Sequence, residues 1–290
     1  MPELPEVETA RRGIEPHLLK HAVTAVVVRN RNLRWPVPRS LIETLPGQRI
    51  QAITRRGKYI LLHTPAGTAL LHLGMSGSLR VLPADAPAGK HDHLDIVLDS
   101  GHALRLRDPR RFGTLLWTTI NPELHRLLRT LGPEPLGEDF DGDYLFAKAR
   151  KRKVAIKNFI MNSHIVVGIG NIYASEALFL ARIHPQRAAG KVSRERYAAL
   201  AKAIRKVLNA AIKAGGTTLR DFSGTNGEPG YFRQHLRVYG REDKACKRCG
   251  TRIAARITGQ RRTYYCPHCQ RLNSRHSQVC HSRESGIPAR

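Results

Sequence analysis

The first residues of the chain carry groups that could do covalent chemistry. Bacterial processing removes an initiator that precedes proline, so the start Met1-Pro2 predicts a free secondary amine on Pro2. An α-amino group titrates near pH ~7.7–8.0, so part of it is uncharged at neutral pH and can form a Schiff base with a sugar carbon. Glu3 and Glu6 supply carboxylates for proton transfer beside it. The alternative is structural, because Pro5 and the acids around it are also typical of a helix N-terminus.

Cysteines near the end of the chain have the spacing of a zinc ribbon. Two Cys-x2-Cys pairs with sixteen residues between them supply Cys246, Cys249, Cys266 and Cys269, while Cys280 is left over. Two disulfides are the alternative, but nothing in the sequence marks a secreted protein. Four thiolates complete a tetrahedron and leave no position for a catalytic water. We therefore expect one structural Zn²⁺, with the chemistry elsewhere.

The balance of charges is strongly positive. The 290 residues include 49 Lys and Arg but only 23 Asp and Glu, which gives a formal net charge of +26. That charge favours a polyanionic partner, and the 41% hydrophobic residues are enough for a folded protein with more than one domain. No apolar run approaches the ~20 residues of a membrane span, and the acidic start is unlike a signal peptide. We expect a cytoplasmic, monomeric protein that binds nucleic acid.

The N-terminal part of the chain predicts a helix followed by an antiparallel β domain. Apolar residues recur at helical spacing at Val7, Ala10, Ile14 and Leu18. Short β-rich runs with glycine and proline between them then extend to about residue 118, without alternating helices. They indicate a sandwich or flattened barrel rather than a parallel sheet. The runs are AVTAVVVRN, RIQAITRR, KYILLH, ALLHLG, HLDIVL, HALRLR and GTLLWT.

The rest of the chain predicts a connector, helices and a tail. Residues 121–150 are rich in Pro, Gly and Asp and predict a linker, and Tyr144 excludes a calcium loop there because that position needs glycine. Helical patterns follow between 151 and 214. The glycine turn before Asn171 could bind a phosphate at a helix N-terminus or simply join two helices. We expect a mobile loop at 217–232 and a disordered tail at 273–290.

Several motifs, in order from residue 1 to about residue 272, resemble a single family. They are PELPEVET, HLGMSGSLR, KHDHLDIVL, DPRRFG, LGPEPL, VVGIGNIYASEALF, GGTTLRDF and the terminal zinc ribbon. Together they closely resemble bacterial formamidopyrimidine-DNA glycosylase. The resemblance implies an α+β multi-domain fold. Its parts are an N-terminal β-sandwich with a leading helix at 1–120, the linker, a helix-two-turn-helix domain at 151–232 and a C-terminal zinc finger at 233–272.

The resemblance also implies an activity and residues that carry it. The activity is base-excision repair, in which 8-oxoguanine and formamidopyrimidines are removed from double-stranded DNA and the abasic strand is cleaved by β,δ-elimination. Pro2 is implied to attack C1′ with Glu3 as the proton donor, and Glu6 to support the local charge arrangement. Lys58, which otherwise reads as a surface lysine, is implied to transfer protons in β-elimination. Arg261 is implied to assist δ-elimination, as much by gripping phosphate as by acid catalysis, because guanidinium stays protonated.

DNA contacts are implied at further residues. A glycosylase must extrude the damaged nucleotide and fill the vacated space, for which an apolar wedge and a guanidinium are suited. By residue type alone, the apolar members fit a hydrophobic core as well. The residues are His91, Arg110, Lys153 and Asn171 for phosphate or base contacts, and Met75, Arg110 and Phe112 for the vacated space. The loop at 217–232 is implied to close over the lesion.

Two other interpretations remain open from the sequence. The sister glycosylases for oxidised pyrimidines, the endonuclease VIII-like group, share the Pro-Glu start, the helical domain and the zinc ribbon, although HLGMSG and DPRRFG argue against them. A non-catalytic zinc-ribbon DNA-binding protein would need only the positive charge and the four cysteines. A retained Met1 would favour the second interpretation, because a blocked amine cannot attack a sugar carbon.

Overall fold

The computed structural model describes residues 2–217 and 232–272. Most of the expected loop at 217–232, and the expected tail with Cys280, lie outside the described residues. The described chain forms two four-stranded sheets, a group of helices and a two-stranded finger. None of the described helices is long and apolar enough to cross a membrane.

The N-terminal domain is a β-sandwich with a helix at its start, as predicted. Its elements are α1 (Leu4–Leu18), β1 (Val23–Val28), α2 (Arg39–Thr44), β2 (Ala52–Arg56), β3 (Tyr59–Thr64), β4 (Gly67–His72), β5 (Ser78–Pro83), β6 (Asp92–Leu98), β7 (His102–Arg107) and β8 (Thr114–Thr118). One sheet has the order β1-β6-β7-β5 and the other β2-β3-β4-β8, with neighbouring strands antiparallel. Both sheets share one hydrophobic core with α1 and α2.

Strand β5 and helix α2 lie outside the predicted runs. Strand β5 is at the edge of its sheet, where Arg80 is exposed and Pro83 ends the strand, so its apolar pattern is weak. Helix α2 has only six residues and buries only Leu41 within them, too short a stretch for helical periodicity to be detected.

The second domain is helical. Its elements are α3 (Gly142–Ala149), α4 (Ile156–Met161), α5 (Asn171–Leu180) and α6 (Arg194–Lys213), with short 3₁₀ segments at Pro122–Leu124, Ala189–Lys191 and Phe232–His235. Helix α3 falls inside the stretch where a linker is expected. The Asp141 side chain accepts a hydrogen bond from Tyr144 N at 2.7 Å, so one of the acids that suggest a connector in fact caps a helix. Leu145 then packs in the helical core.

Helix α1 joins the two domains. The Leu4 N–H donates to the Gly168 carbonyl, at 3.0 Å, in the turn before α5. Gly168 has φ +82°, and a Cβ there would lie 2.5 Å from the Leu4 side chain, so both its backbone conformation and the close approach require glycine. The N-terminus of the chain therefore lies in the seam between the sandwich and the helices.

The C-terminal finger is a β-hairpin of β9 (Ala254–Thr258) and β10 (Arg261–Tyr265). Its two-residue turn, Gly259 and Gln260, has positive φ at both positions, the geometry that matches the twist of paired strands. Phe179 of α5 packs in the finger's small core. A Cβ on Gly259 would lie 2.3 Å from the Asn158 amide of α4. The hairpin is therefore docked against α4 and α5.

Candidate active site

Glu3 connects the start of α1 to the start of α5. It is buried, and its carboxylate accepts hydrogen bonds from the backbone N–H groups of Gly170 at 2.8 Å, Ile172 at 3.0 Å and Tyr173 at 3.4 Å. A Cβ on Gly170 would lie 2.3 Å from the Glu3 carboxyl carbon, so a larger residue would displace the side chain. A helix N-terminus favours an anion, and this one holds the carboxylate next to the buried Pro2.

Glu6 is a second buried carboxylate, one turn further along α1. It accepts hydrogen bonds from the Glu3 N–H at 2.9 Å, the Tyr173 hydroxyl at 2.5 Å and the Thr217 N–H at 2.8 Å. Burial, and then the charge of Glu3, raise the pKa of Glu6 to about 7, although these hydrogen bonds oppose the shift. The site therefore holds a carboxyl group that is partly protonated at neutral pH.

Lys58 lies in the turn between β2 and β3. Burial and the charge of Arg261 lower its pKa, while Glu3 and Glu6 act in the opposite direction. The turn is held from the helical side by Glu134, whose carboxylate accepts from Gly57 N at 2.6 Å. The same carboxylate accepts from the side chains of Arg55 at 2.7 Å and Arg56 at 3.2 Å. Glu134 therefore fixes the residues that precede Lys58 in the turn.

A cavity of about 420 Å³ connects these elements. Lys58 from the sandwich, Gly168 and Gly170 before α5, and Arg261 from the finger all line it. Asn171, the first residue of α5, donates its side-chain N–H to the Arg262 carbonyl at 3.0 Å and so ties β10 to the helix N-terminus. The sandwich and the finger thus bring cations to one cavity beside the start of α5, a charge suited to a phosphate.

Two further groups at this site were not predicted from the sequence. Lys157 of α4 is fully buried and donates to the Thr263 hydroxyl at 2.6 Å, and burial together with the charge of Arg261 lowers its pKa to about 8. His72 lines the cavity, and its Nδ1 accepts from Gly74 N at 2.9 Å. Burial, helped by nearby cations, lowers the pKa of His72 to about 4, so the neutral ring carries its proton on Nε2 as a donor.

No sequence signal identified either residue. The Lys157 partner is 106 residues away along the chain, and the lysine reads as one more cation in a basic segment. The position of His72 at the end of a strand was equally compatible with an ordinary surface residue. Their roles follow only from the packing of distant elements.

A second group of predicted residues lies on two adjoining loops. Met75 and Phe112 are unusually exposed for their type, at 36% and 42%, and the Arg110 guanidinium lies 4.8 Å from the centre of the Phe112 ring. A Cβ on Gly74, at φ +62°, would lie 2.3 Å from the Phe112 backbone, so the loops touch main chain to main chain. Asp108 closes the second loop by accepting from Gly113 N at 2.7 Å. These side chains project from the surface and do not form a core.

The other two predicted DNA contacts differ in their surroundings. The His91 carbonyl accepts from Asp108 N at 3.0 Å, which places His91 beside the loop of Arg110. Lys153 is exposed just before α4 and does not line the cavity. Within the described residues, it forms no ion pair.

The predicted zinc ligands come together in the finger. The Sγ atoms of Cys246, Cys249, Cys266 and Cys269 all lie within 4.8 Å of one another. Cys249 Sγ is 3.5 Å from both Cys266 Sγ and Cys269 Sγ, too far for a disulfide and close to the ~3.8 Å between sulfurs of a tetrahedral zinc site. These thiolates fit one structural zinc ion, which would hold the base of the hairpin that carries Arg261.

Comparison with known proteins identifies the family. Three family models match consecutive parts of the chain: the formamidopyrimidine-DNA glycosylase N-terminal domain at residues 1–115, the H2TH domain of the same enzyme at 131–223, and the zinc finger found in FPG and IleRS at 243–272. The chain is 60% identical over 271 residues to the formamidopyrimidine-DNA glycosylase of Syntrophotalea carbinolica, covering 93% of this chain and 100% of that one. This chain belongs to the formamidopyrimidine-DNA glycosylase family. The enzyme of Thioalkalivibrio sulfidiphilus is equally similar, at 60% identity and the same coverage.

Solved structures of the family have the same fold. The Lactococcus lactis Fpg protein, in complex with DNA containing an abasic site, is 35% identical with a TM-score of 0.86, covering 93% of this chain and 99% of that one. The MutM (FPG) protein of Thermus thermophilus is 36% identical with a TM-score of 0.83, covering 93% and 98%. Membership of this enzyme family argues against the interpretation of the chain as a non-catalytic zinc-ribbon DNA-binding protein.

The predicted site residues fall into separate groups in the structure. Lys58 and Arg261 lie at one cavity, and Glu3 binds its backbone wall at Gly170. Met75, Arg110 and Phe112 form a separate exposed group, and Lys153 belongs to neither. The proximity is an observation, while the individual roles of these residues remain predictions.

Proposed function

We propose that this chain excises oxidised purines from double-stranded DNA in base-excision repair, with the amine of Pro2 as the nucleophile. The observation that carries the proposal is the pair of buried carboxylates beside Pro2, one of which has a pKa of about 7. They adjoin a cavity whose lining includes Lys58 and Arg261, because Glu3 binds the cavity wall at Gly170. This combination places an acid that can donate a proton at neutral pH, positive charge suited to a phosphate, and a nucleophile close together.

The proposed reaction uses these groups in order. The Pro2 nitrogen forms a bond to C1′ as the glycosidic bond breaks, the base leaves with the bonding electron pair and a proton, and opening of the sugar ring gives an iminium. Glu3 donates and accepts protons beside C1′, and Glu6 holds a further proton within reach of it. Removal of a C2′ proton, assigned to Lys58, expels the 3′ phosphate, and a second elimination expels the 5′ phosphate. Water then releases Pro2 by hydrolysis of the iminium.

The exposed group on the two loops is assigned to the vacated space in the duplex. Met75 and Phe112 are the apolar wedge, and Arg110 faces the unpaired base of the opposite strand. Arg261, with Asn171 beside it, is assigned to a phosphate of the damaged strand. We place the enzyme in the cytoplasm and propose that it acts as a monomer.

Borohydride trapping tests the nucleophile. Reduction of the iminium should link the protein covalently to duplex DNA that carries 8-oxoguanine opposite cytosine, and Pro2→Gly should weaken or abolish the adduct. A matched control is the same protein behind a cleavable N-terminal fusion, which should trap only after proteolysis exposes Pro2, as verified by the N-terminal mass. If the fused protein is trapped as well as the cleaved one, Pro2 is not the nucleophile. If neither is trapped while both bind DNA, the chain is a binding protein.

A further inference from the structure

The segment between the sandwich and the helical domain forms part of the cavity wall. Arg126, Leu127, Thr130 and Leu131 line the same cavity as Lys58 and Arg261. Arg126 is exposed, and its guanidinium lies 5.5 Å from the centre of the Trp35 ring. A segment that reads as a connector in the sequence therefore presents a cation to the catalytic cavity.

A second arginine contacts the same indole. The Arg34 guanidinium lies 5.2 Å from the centre of the Trp35 ring, and Arg34 N donates to the Gly113 carbonyl at 3.1 Å, beside the loop of Phe112. The charge of Arg34 also acts on the cavity residue His72. Burial lowers the pKa of His72 most, and the charges of Lys58 and then Arg34 lower it further. The Trp35 ring thus contacts two guanidinium groups, one beside the cavity and one beside the loop of Phe112.

Neither arginine is neutralised by a carboxylate within the described ranges 2–217 and 232–272. Among the described residues, no carboxylate lies within 4.0 Å of the guanidinium of Arg34 or Arg126. Stacking on an aromatic ring orients a guanidinium and leaves the N–H groups at its edge free to donate. Two oriented, unpaired guanidinium groups would repel each other and are best satisfied by a ligand with negative oxygens.

We propose that Arg34 and Arg126, held by Trp35, bind one phosphodiester of the DNA next to the damaged nucleotide. This inference rests on the proposed function, because it requires the duplex to occupy the cavity. A phosphodiester fits better than a base stacked on the indole, because the two guanidinium groups already lie against that ring. The part of this segment that carries Arg126 then belongs to the nucleic-acid interface and is not only a connector.

Arg129 provides a control on the same segment. It is exposed like Arg126 and carries the same charge, but it does not line the cavity and has no aromatic partner among the described residues. A general attraction between a basic surface and DNA would make the two arginines equivalent. A specific phosphate site at Arg126 would make the effects of substituting Arg126 and Arg129 on DNA affinity different.

Equilibrium binding to a duplex with an uncleavable abasic-site analogue, a tetrahydrofuran nucleotide, tests the proposal without requiring chemistry. Arg126→Gln should weaken affinity by about fivefold, the size expected of one exposed charge pair, and should reduce the slope of log affinity against log salt by about 0.9. Arg129→Gln should change neither quantity measurably. Equal losses for the two variants would overturn the proposal.

Neutral methylphosphonates, placed one at a time along both strands, then locate the phosphate. At the contacted position, wild-type protein should lose at least about fivefold in affinity and Arg126→Gln should lose clearly less, because only the Arg34 contact to that phosphate is left to remove. If no position shows this non-additivity, no phosphate subsite exists at Arg126. Failure of the proposed function would appear instead in borohydride trapping, which can succeed or fail independently of these affinities.

Discussion

Glu6 is a buried acid in the first turn of α1, close to Pro2, the proposed nucleophile. Three hydrogen bonds from Glu3, Tyr173 and Thr217 hold its carboxyl group, yet burial outweighs them and raises its pKa to about 7. An acid of ordinary pKa would be almost fully ionised at neutral pH and could donate few protons. The environment of the site therefore supports proton transfer and does not merely neutralise charge.

Glu6→Gln should change how stability depends on pH. The folded pKa is raised from 4.5 to about 7, so the folded state holds the proton more tightly, and the stability this provides below pH 4.5 is lost as the pH rises through 7. The loss is on the order of 3 kcal/mol for such a shift. Urea denaturation of wild type and Glu6→Gln across this range should show the difference in unfolding free energy moving in favour of the variant as pH rises.

Glu8→Gln is the matched control on the same helix. Burial alone would raise the pKa of Glu8, but hydrogen bonds from Arg11 and Arg12 and the charge of Arg55 lower it. Its contribution to stability should therefore be present above the usual carboxyl pKa and be lost in acid, the opposite direction. If Glu6→Gln and wild type instead keep a constant difference from pH 4.5 to 7, Glu6 does not hold a proton at neutral pH.

The main contacts of these residues could not be read from the sequence. The Pro-Glu start, the turn lysine and the finger arginine were assigned through a family resemblance, and the structure brings the last two to one cavity. The carboxylate of Glu3, however, is held by backbone groups 167 to 170 positions away. Backbone donors carry no signature in residue type, so this arrangement and the pKa of Glu6 needed the folded chain.

At the scale of elements, Gly74 sets the distance between the two loops that carry Met75 and Phe112. Gly74→Ala should add left-handed strain and a contact of 2.3 Å with the Phe112 backbone, which must shift. Gly101→Ala is matched to it, since Gly101 has φ +77° with no atom within 4 Å of the added Cβ. We expect about 1 kcal/mol of destabilisation for Gly101→Ala from strain alone, and clearly more for Gly74→Ala by thermal denaturation.

Gly74→Ala and Gly101→Ala should also differ in enzymatic activity. Excision of 8-oxoguanine from duplex DNA should fall at least tenfold in Gly74→Ala, because a displaced wedge no longer stabilises the extruded nucleotide, a cost of about a few kcal/mol. Gly101→Ala should excise at the wild-type rate. Equal rates for the two variants would mean that the loops do not act as a wedge.

The zinc finger is the element whose removal should be most selective. Cys246→Ser breaks the tetrahedral set and should release the metal, unfold the hairpin of Arg261 and weaken DNA binding, while the sandwich keeps its own core. Metal content by mass spectrometry and DNA affinity are the measurements. Cys280→Ser, outside the described residues, should keep one zinc per chain. Full affinity of metal-free Cys246→Ser at physiological salt would show that the finger does not hold DNA.

Most elements were predictable because they follow local rules. Apolar periodicity placed α1, and the cysteine spacing placed the finger, since both depend on neighbours in sequence. The sequence predicts a linker where helix α3 lies, because Asp-rich and Gly-rich composition is shared by turns and helix caps. Strand β5 was missed because its place at a sheet edge depends on pairing with β7, which composition does not reveal.

For the whole molecule, the net charge of +26 predicts that DNA affinity depends strongly on salt concentration. Each phosphate that the protein neutralises releases counterions, so log affinity should fall with log salt concentration by about 0.9 per phosphate. Fluorescence anisotropy on undamaged and damaged duplexes should give steep, nearly parallel lines, because the phosphate contacts are shared by both. A flat dependence would contradict the assignment of the positive surface to DNA.

Glu134 ties the segment before the helices to the turn that carries Lys58. It belongs to the segment that leads into the helices, yet its carboxylate grips the backbone of Gly57 and the side chains of Arg55 and Arg56. A swing of the helical half must therefore carry the neighbouring lysine with it or break all three bonds. The position of Lys58 relative to the helical domain therefore depends on the Glu134 carboxylate.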